Sequence, residues 1–370
     1  MNSHFLLRVL IKGVSLFLII NFLVILLPEG FGGLSLYNWV FEGRQRLPFG
    51  EDSEHSYNLS LYDLEAMFAS HEINATSKKD DDFRVFIVGD SSVWGTLLTP
   101  EETLAGLLNE SDFSHCEDLV FEFYNLGYPT ISLTKDLLVM DYALQYEPDL
   151  IIWLVTLDAF PKEKQLSSPI VGNNSERVKR LIEKYNLPLD SSDPVLMEGS
   201  LWDKTLLGRR RSLADLVRLQ IFGILWSATG IDQTYPEDYL RAQTDLSADN
   251  LYQGSEGPIL DEQFLSFEVL TAGMELAEDI PVLLVNEPIL ISKGENSDVR
   301  YNFLYPIWAY DSWRQLMVEK SKEKQWNYLD LWNLVPVDEF TNSAIHLTPE
   351  GEALLANRIG QTVIDSYCDR

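Results

Sequence analysis

The sequence predicts an α/β fold, a doubly wound α/β/α sandwich with about five parallel strands and an N-terminal transmembrane helix. Two observations predict it. From residue 83 onward, short apolar runs alternate with helical segments, as in a parallel sheet with helices on both faces. Ahead of this region, residues 13–27 form an uncharged apolar run. The chain therefore divides into an anchor at 1–28, a juxtamembrane segment at 29–82 and a globular domain at 83–370.

Five apolar runs, several of them β-branched, predict the strands. They read RVFIVG from Arg84, VFEFYNLG from Val120, DLIIWLVTL from Asp149, IPVLLVNEP from Ile280 and WNYLDLWN from Trp326. The third run is apolar on both faces, which is typical of a central parallel strand. Helices are predicted between and after the strands, at 99–110, 131–146, 264–278, 310–324 and 348–364, with a shorter helix at 60–73. Thr99, Pro100 and Glu102 form the pattern of a capped helix start.

The apolar run at 13–27, extended towards the N-terminus, is long enough to cross a bilayer. A core helix would show a polar face, and this run is apolar all round. A cleaved signal peptide would carry small residues of the A-x-A type, but the first alanine of the chain is Ala66. The sequence therefore favours an uncleaved anchor over both a core helix and a signal peptide.

The basic residues around the anchor indicate its orientation. Arg8 and Lys12 precede the span, which places the N-terminus inside and the globular domain outside. Arg44 and Arg46 follow it and weaken this inference. We expect a single-pass protein of the cell membrane with its domain facing outward.

Residues 161–261 interrupt the alternation and are predicted as a helical insertion after the third strand. They are polar and rich in loops, except for one amphipathic segment at 212–230. This segment carries Asp215 and Arg218 and follows three arginines at 209–211, which argues against a second span. It either packs on the core, as apolar stripes usually do, or lies in the membrane interface.

The composition excludes some partners. The chain has 370 residues, 57 of them acidic and 28 basic, and its net charge of -29 repels nucleic acid. Cys116 and Cys368 are far apart and form no CxxC pair, so neither a metal site nor any other cofactor is expected. The two cysteines form a disulfide in an oxidising compartment or remain two buried thiols.

A serine and a histidine are predicted to meet at one edge of the sheet. Ser91 follows Gly89 and Asp90 directly after the first strand, where open α/β sheets present their ligands. His346 lies between the last strand and the closing helix, which returns it to the same edge. The pair is suited to nucleophilic catalysis, with His346 as base. The backbone N–H of Ser91 can support an oxyanion.

These residues lie in segments that resemble the SGNH (GDSL-like) hydrolase family, over about residues 83–368. GDSS at 89–92 resembles the first family block, which implies Ser91 as nucleophile. YNLG at 124–127 resembles the second, which implies that Gly127 gives an N–H to the oxyanion hole. IHLTPEG at 345–351 resembles the last, which implies His346 as base. The resemblance also implies a flavodoxin-like sheet.

The third block of the family, Gly-x-Asn-Asp, falls on residues 156–159 and differs here. Asp158 stands where the family has the asparagine that donates to the oxyanion, and an ionised carboxylate only accepts. Either Thr156 donates instead, or the oxyanion hole is left with two backbone donors. Loss of one such donor typically costs about 3 kcal/mol of transition-state stabilisation.

The catalytic acid also departs from the family pattern. The family places an aspartate three residues before the histidine, and this position is Ser343. Asn342 could orient the imidazole but cannot stabilise an imidazolium as a carboxylate does. A carboxylate could come from elsewhere, or the site could be a Ser–His dyad. The candidates for that carboxylate are Asp338, Glu339 and Glu287.

Taken together, the residues predict a serine hydrolase that cleaves esters through an acyl-enzyme. Water as the acceptor would make it an esterase, and a hydroxyl acceptor an acyltransferase. The resemblance implies O-acyl groups of an extracellular glycan or lipid as substrate, and no cofactor. The alternative is a catalytically silent domain of the same fold that binds a surface glycan or scaffolds an envelope complex.

Overall fold

The computed structural model describes residues 3–26, 32–50, 52, 54–116, 119–197, 199–236 and 238–368. The predicted boundary between the anchor and the juxtamembrane segment, at residues 28 and 29, lies outside the described residues, as does the side chain of Cys116. Cys368 is disulfide-bonded.

A six-stranded sheet forms the centre of the molecule. In chain order its strands are β1 (Asp82–Val88), β2 (His115–Cys116), β3 (Leu119–Asn125), β4 (Leu150–Val155), β7 (Val282–Asn286) and β8 (Asn327–Asp330). β5 (Leu251–Tyr252) and β6 (Ser255–Glu256) form a separate small ribbon in the insertion. The spatial order is β2-β3-β1-β4-β7-β8, and all neighbours are parallel except the short edge strand β2. The five parallel strands thus follow the doubly wound order 2-1-3-4-5.

Eleven α-helices are described. They are α1 (Ser3–Leu23), α2 (Leu64–Ala69), α3 (Ser91–Trp94), α4 (Leu104–Glu110), α5 (Leu133–Ala143), α6 (Pro169–Asn173), α7 (Ser175–Tyr185), α8 (Arg210–Thr229), α9 (Phe267–Leu276), α10 (Ile307–Lys324) and α11 (Pro349–Tyr367). Short 3-10 turns connect many of them, including one at Tyr37–Trp39 and one at Pro100–Glu102.

Two hydrophobic cores lie on opposite faces of the sheet, because side chains alternate along each strand. On β4, Trp153 packs into the core shared with α5, α9 and α10. Its neighbours Ile152 and Leu154 pack into the other core, with α4 and α11. All six residues of β4 are buried, as expected for a central parallel strand. The predicted α/β/α sandwich with five parallel strands is therefore confirmed.

Two helices differ from their predictions. The predicted helix at 99–110 is split: Thr99 and Glu102 form a capping box around a 3-10 turn, and the extended Thr103 then caps α4 separately. In the insertion, α7 forms where polar loops were expected. Its apolar face is narrow, with Val178, Leu181 and Ile182 buried, and the surrounding charges hid it in the sequence.

The predicted juxtamembrane segment is part of the globular domain. Leu47, Leu59, Met67 and Phe68 are completely buried and belong to the same core as α5 and α9. The segment therefore covers one face of the sandwich instead of standing between the domain and the membrane.

Arg44 and Arg46 are likewise buried. Arg44 donates to the carbonyl of Tyr57 at 2.8 Å and to the side chain of Asn58 at 3.2 Å. Their charges are neutralised or solvated inside the domain, so they no longer count against an outward-facing domain.

α1 extends away from the domain with nearly all of its side chains exposed. Its 21 residues span about 31 Å at 1.5 Å per residue, close to the thickness of a bilayer core. Among the described residues it is the one helix long and apolar enough to cross a membrane, properties that a signal sequence shares. Its C-terminal end touches the insertion: Asn21 Oδ1 accepts the Leu207 N–H at 2.9 Å.

Candidate active site

The turn after β1 presents Ser91. Asp90 caps α3 by accepting the Ser92 N–H at 2.9 Å, so Ser91 is the first residue of the helix. The helix ends after one turn because Gly95 adopts a left-handed conformation, with φ of 84°. Ser91 is half-buried at the carboxyl edge of the sheet. In the part of the chain that the structure describes, its N–H has no hydrogen-bond partner.

Ser91, His346 and Asn342 form a hydrogen-bonded chain. Ser91 Oγ lies 2.8 Å from His346 Nε2, and His346 Nδ1 lies 2.8 Å from Asn342 Oδ1. Because the amide oxygen of Asn342 can only accept, it places a proton on Nδ1. Nε2 is then the acceptor for the Ser91 hydroxyl. This is the tautomer that a general base requires.

A hairpin-like turn before α11 holds the histidine and the asparagine together. Thr341 donates its N–H to the carbonyl of His346 at 2.8 Å, and Phe340 pairs with Leu347 across the turn. Leu290, in the loop after β7, donates to the carbonyl of Ala344 at 2.8 Å. Backbone bonds thus fix the spacing between Asn342 and His346, four residues apart, and fasten the turn to the sheet.

Burial lowers the pKa of His346 to about 4. Among the described residues no carboxylate forms a hydrogen bond with its ring. The imidazole is therefore neutral and able to accept a proton at neutral pH.

The predicted carboxylate partners of His346 lie in other interactions. Glu287 accepts from the Ser92 hydroxyl, and Glu339 accepts from the Thr348 hydroxyl. Asp338 is exposed, and its carbonyl accepts from Arg241. Of the residues considered from sequence, Asn342 is the one that contacts the ring.

Gly127 does not have the position predicted for it. Its N–H donates to Asn125 Oδ1 at 3.0 Å, so it is not available to an oxyanion. The glycine has a different physical reason: a Cβ at this position would lie 2.4 Å from the backbone nitrogen of Trp94. Asn125 also donates to the carbonyl of Val93 at 2.8 Å. The YNLG turn thus packs against α3 and supports the helix that carries Ser91.

The third-block residues are also committed elsewhere. Thr156 is fully buried, and its hydroxyl lies 3.0 Å from the Tyr305 hydroxyl, so it does not face an oxyanion. The carboxylate of Asp158 pairs with Lys164 at 2.5 Å. This ion pair offsets a negative charge that would oppose the oxyanion. Of the three predicted donors, only the Ser91 N–H is free in this structure.

Charged residues lie beneath α3 that the sequence reading did not single out. Lys135 is fully buried and donates to the Gly89 carbonyl at 2.6 Å and to Asp136 at 2.5 Å. Burial raises the pKa of Asp90 to about 6 and, with the nearby Asp90, raises that of Glu287 well above its usual range. A lysine–aspartate pair inside an otherwise apolar helix was the available sequence signal. These groups support the backbone before and after Ser91.

Arg46 and Asp232 hold the loop that follows α3. Arg46 forms two bonds with the Asp232 carboxylate, at 2.5 and 2.7 Å, and both side chains are buried. It also donates to the carbonyls of Trp94, Gly95 and Leu98, at 2.9 to 3.0 Å. One side chain from the segment 32–82 thus connects the nucleophile loop to the insertion. Their separation in sequence left no signal of this contact.

Among the described residues, no group of three or more histidine, cysteine, aspartate or glutamate side chains is arranged to hold a metal ion.

No family model matches the sequence, and no curated protein matches it. Solved structures with similarity include the carbohydrate acetylesterase Est24 from Sinorhizobium meliloti, 13% identical over 77% of this chain and all of that chain, with a TM-score of 0.35. A protein of the lipolytic G-D-S-L family from Veillonella parvula is 9% identical over 77% of this chain and 99% of that chain, with a TM-score of 0.36. The aryl esterase of M. smegmatis is 13% identical over 76% of this chain and 99% of that chain, with a TM-score of 0.35. At these values the similarities carry no argument, and the fold rests on the strand order itself.

Replacing Arg46 by methionine should destabilise the protein by about 3–5 kcal/mol, because it leaves the Asp232 carboxylate buried without its partner. Urea unfolding of the purified full chain in detergent measures this. The double variant Arg46→Met, Asp232→Asn is the control and should recover much of the loss, since no unpaired charge remains. A single variant as stable as the parent would contradict the clamp.

Replacing Asn342 by aspartate should move the acid limb of the kcat/KM profile to higher pH. His346 must be neutral to act, so activity falls as pH drops through its pKa, which is about 4 here. A carboxylate at the same position stabilises the imidazolium and raises that pKa, and we expect kcat to rise on the order of tenfold. The profile is measured with a p-nitrophenyl ester. Asn342→Ala is the control and should lower kcat without moving the limb upward; an unmoved limb in Asn342→Asp would refute the contact.

Proposed function

We propose that this chain is a serine hydrolase that cleaves ester bonds. The observation that carries the proposal is the 2.8 Å contact between Ser91 Oγ and His346 Nε2, in the tautomer set by Asn342. The resemblance of the GDSS and IHLTPEG segments to the SGNH hydrolases supports it from the sequence.

The reaction begins when Ser91 Oγ attacks the ester carbonyl carbon and His346 Nε2 takes the hydroxyl proton. The Ser91 N–H stabilises the oxyanion of the tetrahedral intermediate. Collapse breaks the bond to the alcohol oxygen, and His346 returns its proton to that oxygen as the alcohol leaves. Water, or a second hydroxyl, then attacks the acyl-enzyme by the same path and regenerates Ser91.

We place the substrate outside the membrane, among O-acylated glycans or lipids. α1 supports an anchor, because its apolar side chains are exposed and Asn21 is held by the domain. The disulfide bond of Cys368 supports an oxidising compartment. The preceding arginine and lysine, Arg8 and Lys12, favour an outward-facing domain.

The second candidate function is a silent domain of the same fold that binds a glycan or scaffolds an envelope complex. Three observations favour it: Gly127 N–H is bonded to Asn125, Thr156 is buried, and an amide stands in place of the catalytic carboxylate. A single oxyanion donor and a weakly stabilised imidazolium would both lower the rate.

A fluorophosphonate probe should label the full chain on Ser91, because the probe reacts with a serine activated by a base. Ser91→Ala should abolish the labelling and lower esterase activity on the order of 1,000-fold or more. Ser92→Ala is the matched control, one residue along the same helix, and should still be labelled. A folded parent protein that remains unlabelled would favour the silent domain.

The full chain should stay with membranes after a high-salt wash, since salt releases proteins held by charge but not a spanning helix. Epitope tags at both ends check the anchor by immunoblotting. The N-terminal tag should remain on the same polypeptide as the C-terminal tag, and only the C-terminal tag should be accessible from outside. Loss of the N-terminal tag would show that α1 is a cleaved signal sequence.

A further inference from the structure

One face of α8 is apolar and exposed along its whole length. Val217, Ile221, Ile224 and Leu225 are 58%, 53%, 47% and 38% exposed, and Ala214 and Ala228 extend the same row in both directions. Their spacing of three, four, three and one residues keeps them on one side of a helix with 3.6 residues per turn. We call this row the outer stripe of α8.

The opposite side of α8 packs on the domain. Leu219, Gly223 and Trp226 are buried, and a Cβ at Gly223 would lie 2.4 Å from the ring of Tyr37. The helix therefore already has its contact with the protein core on this side. The outer stripe faces away from it, with no polar or charged residue between Val217 and Leu225 on that side.

The bilayer is brought to the start of α8 by α1. Asn21, near the C-terminal end of α1, is 1% exposed and is bonded to the segment that leads into α8. Its side-chain oxygen accepts the Leu207 N–H at 2.9 Å, and its carbonyl accepts the Leu206 N–H at 3.3 Å. Because α8 begins at Arg210, three residues separate this contact from its first turn.

Two further features fit a membrane surface. Arg210 and Arg211 are exposed at the N-terminal end of α8, where they can reach lipid phosphates. The turn beside α8 is also apolar and exposed: Trp39 and Val40 are 75% and 77% exposed. This turn is tied to α8 through Gln220, whose side-chain oxygen accepts the Leu36 N–H at 2.6 Å.

We propose that α8 is an interfacial helix whose outer stripe lies in the outer leaflet of the membrane that α1 spans. The domain then contacts the bilayer through two elements, α1 across it and α8 along its surface. Amphipathic helices of this kind bury their apolar side at the boundary between headgroups and acyl chains. The inference rests on the proposed anchoring role of α1.

An environment-sensitive fluorophore on single introduced cysteines tests the inference, with the full chain reconstituted in phosphatidylcholine vesicles. Ile221→Cys reports on the outer stripe. Ile259→Cys is the matched control, an isoleucine that is 80% exposed in the loop touching α10. Leu16→Cys reports on α1. Emission is quenched by doxyl-labelled lipid from the membrane and by iodide from water.

We expect doxyl lipid to quench the Ile221 label several-fold more than the Ile259 label, and iodide to show the reverse order. A label at Ile221 that iodide reaches as easily as the one at Ile259, while the Leu16 label is in lipid, overturns the inference alone. An Ile221 label shielded from both quenchers also overturns it, because a protein then covers the stripe. A Leu16 label outside lipid overturns the anchor and this inference together.

Discussion

The buried guanidinium of Arg46 is the contact on which the nucleophile loop depends. A charge taken out of water needs a counter-charge and a full set of acceptors, and Arg46 finds them in Asp232 and in three carbonyls of the loop after α3. Its side chain also lies over the Trp94 ring, at 4.4 Å. The three connected parts are the segment 32–82, the turn carrying Ser91 and the insertion. None of them can move far without leaving a buried charge or carbonyl unpaired, so they behave as one structural unit.

The sheet and the serine–histidine pair were predictable because they follow from local patterns. Apolar runs and helical spacing fixed the five parallel strands, and parallel strands bring Ser91 and His346 to one edge. The pairing of Arg46 with Asp232, 186 residues apart, has no local pattern. Gly127 shows a different limit. A glycine required for close approach to Trp94 looks the same in sequence as one required to donate an N–H.

The site separates its carboxylates from its histidine. Glu287 and Asp90 lie beneath α3, where burial favours their neutral forms, and an amide occupies the place beside the imidazole. No nearby anion then raises the pKa of His346, which is a neutral base over the whole physiological range. The cost falls on the imidazolium that forms during the reaction, because Asn342 supplies only a dipole where a carboxylate would supply a charge. Such a site is well set to accept the Ser91 proton and poorly set to hold it.

The geometry of α8 connects the membrane to this site. A helix lying in the interface keeps both of its ends at the same depth, so its C-terminal end would be at the bilayer surface as well. Directly after that end, Asp232 binds Arg46, and Gln233 bonds to Gly95, Leu97 and Leu98. The loop that follows Ser91 is thus fastened to the chain just where α8 stops. A nucleophile held this close to the bilayer favours esters carried on lipids or on polymers attached at the membrane over esters far out in the surrounding medium.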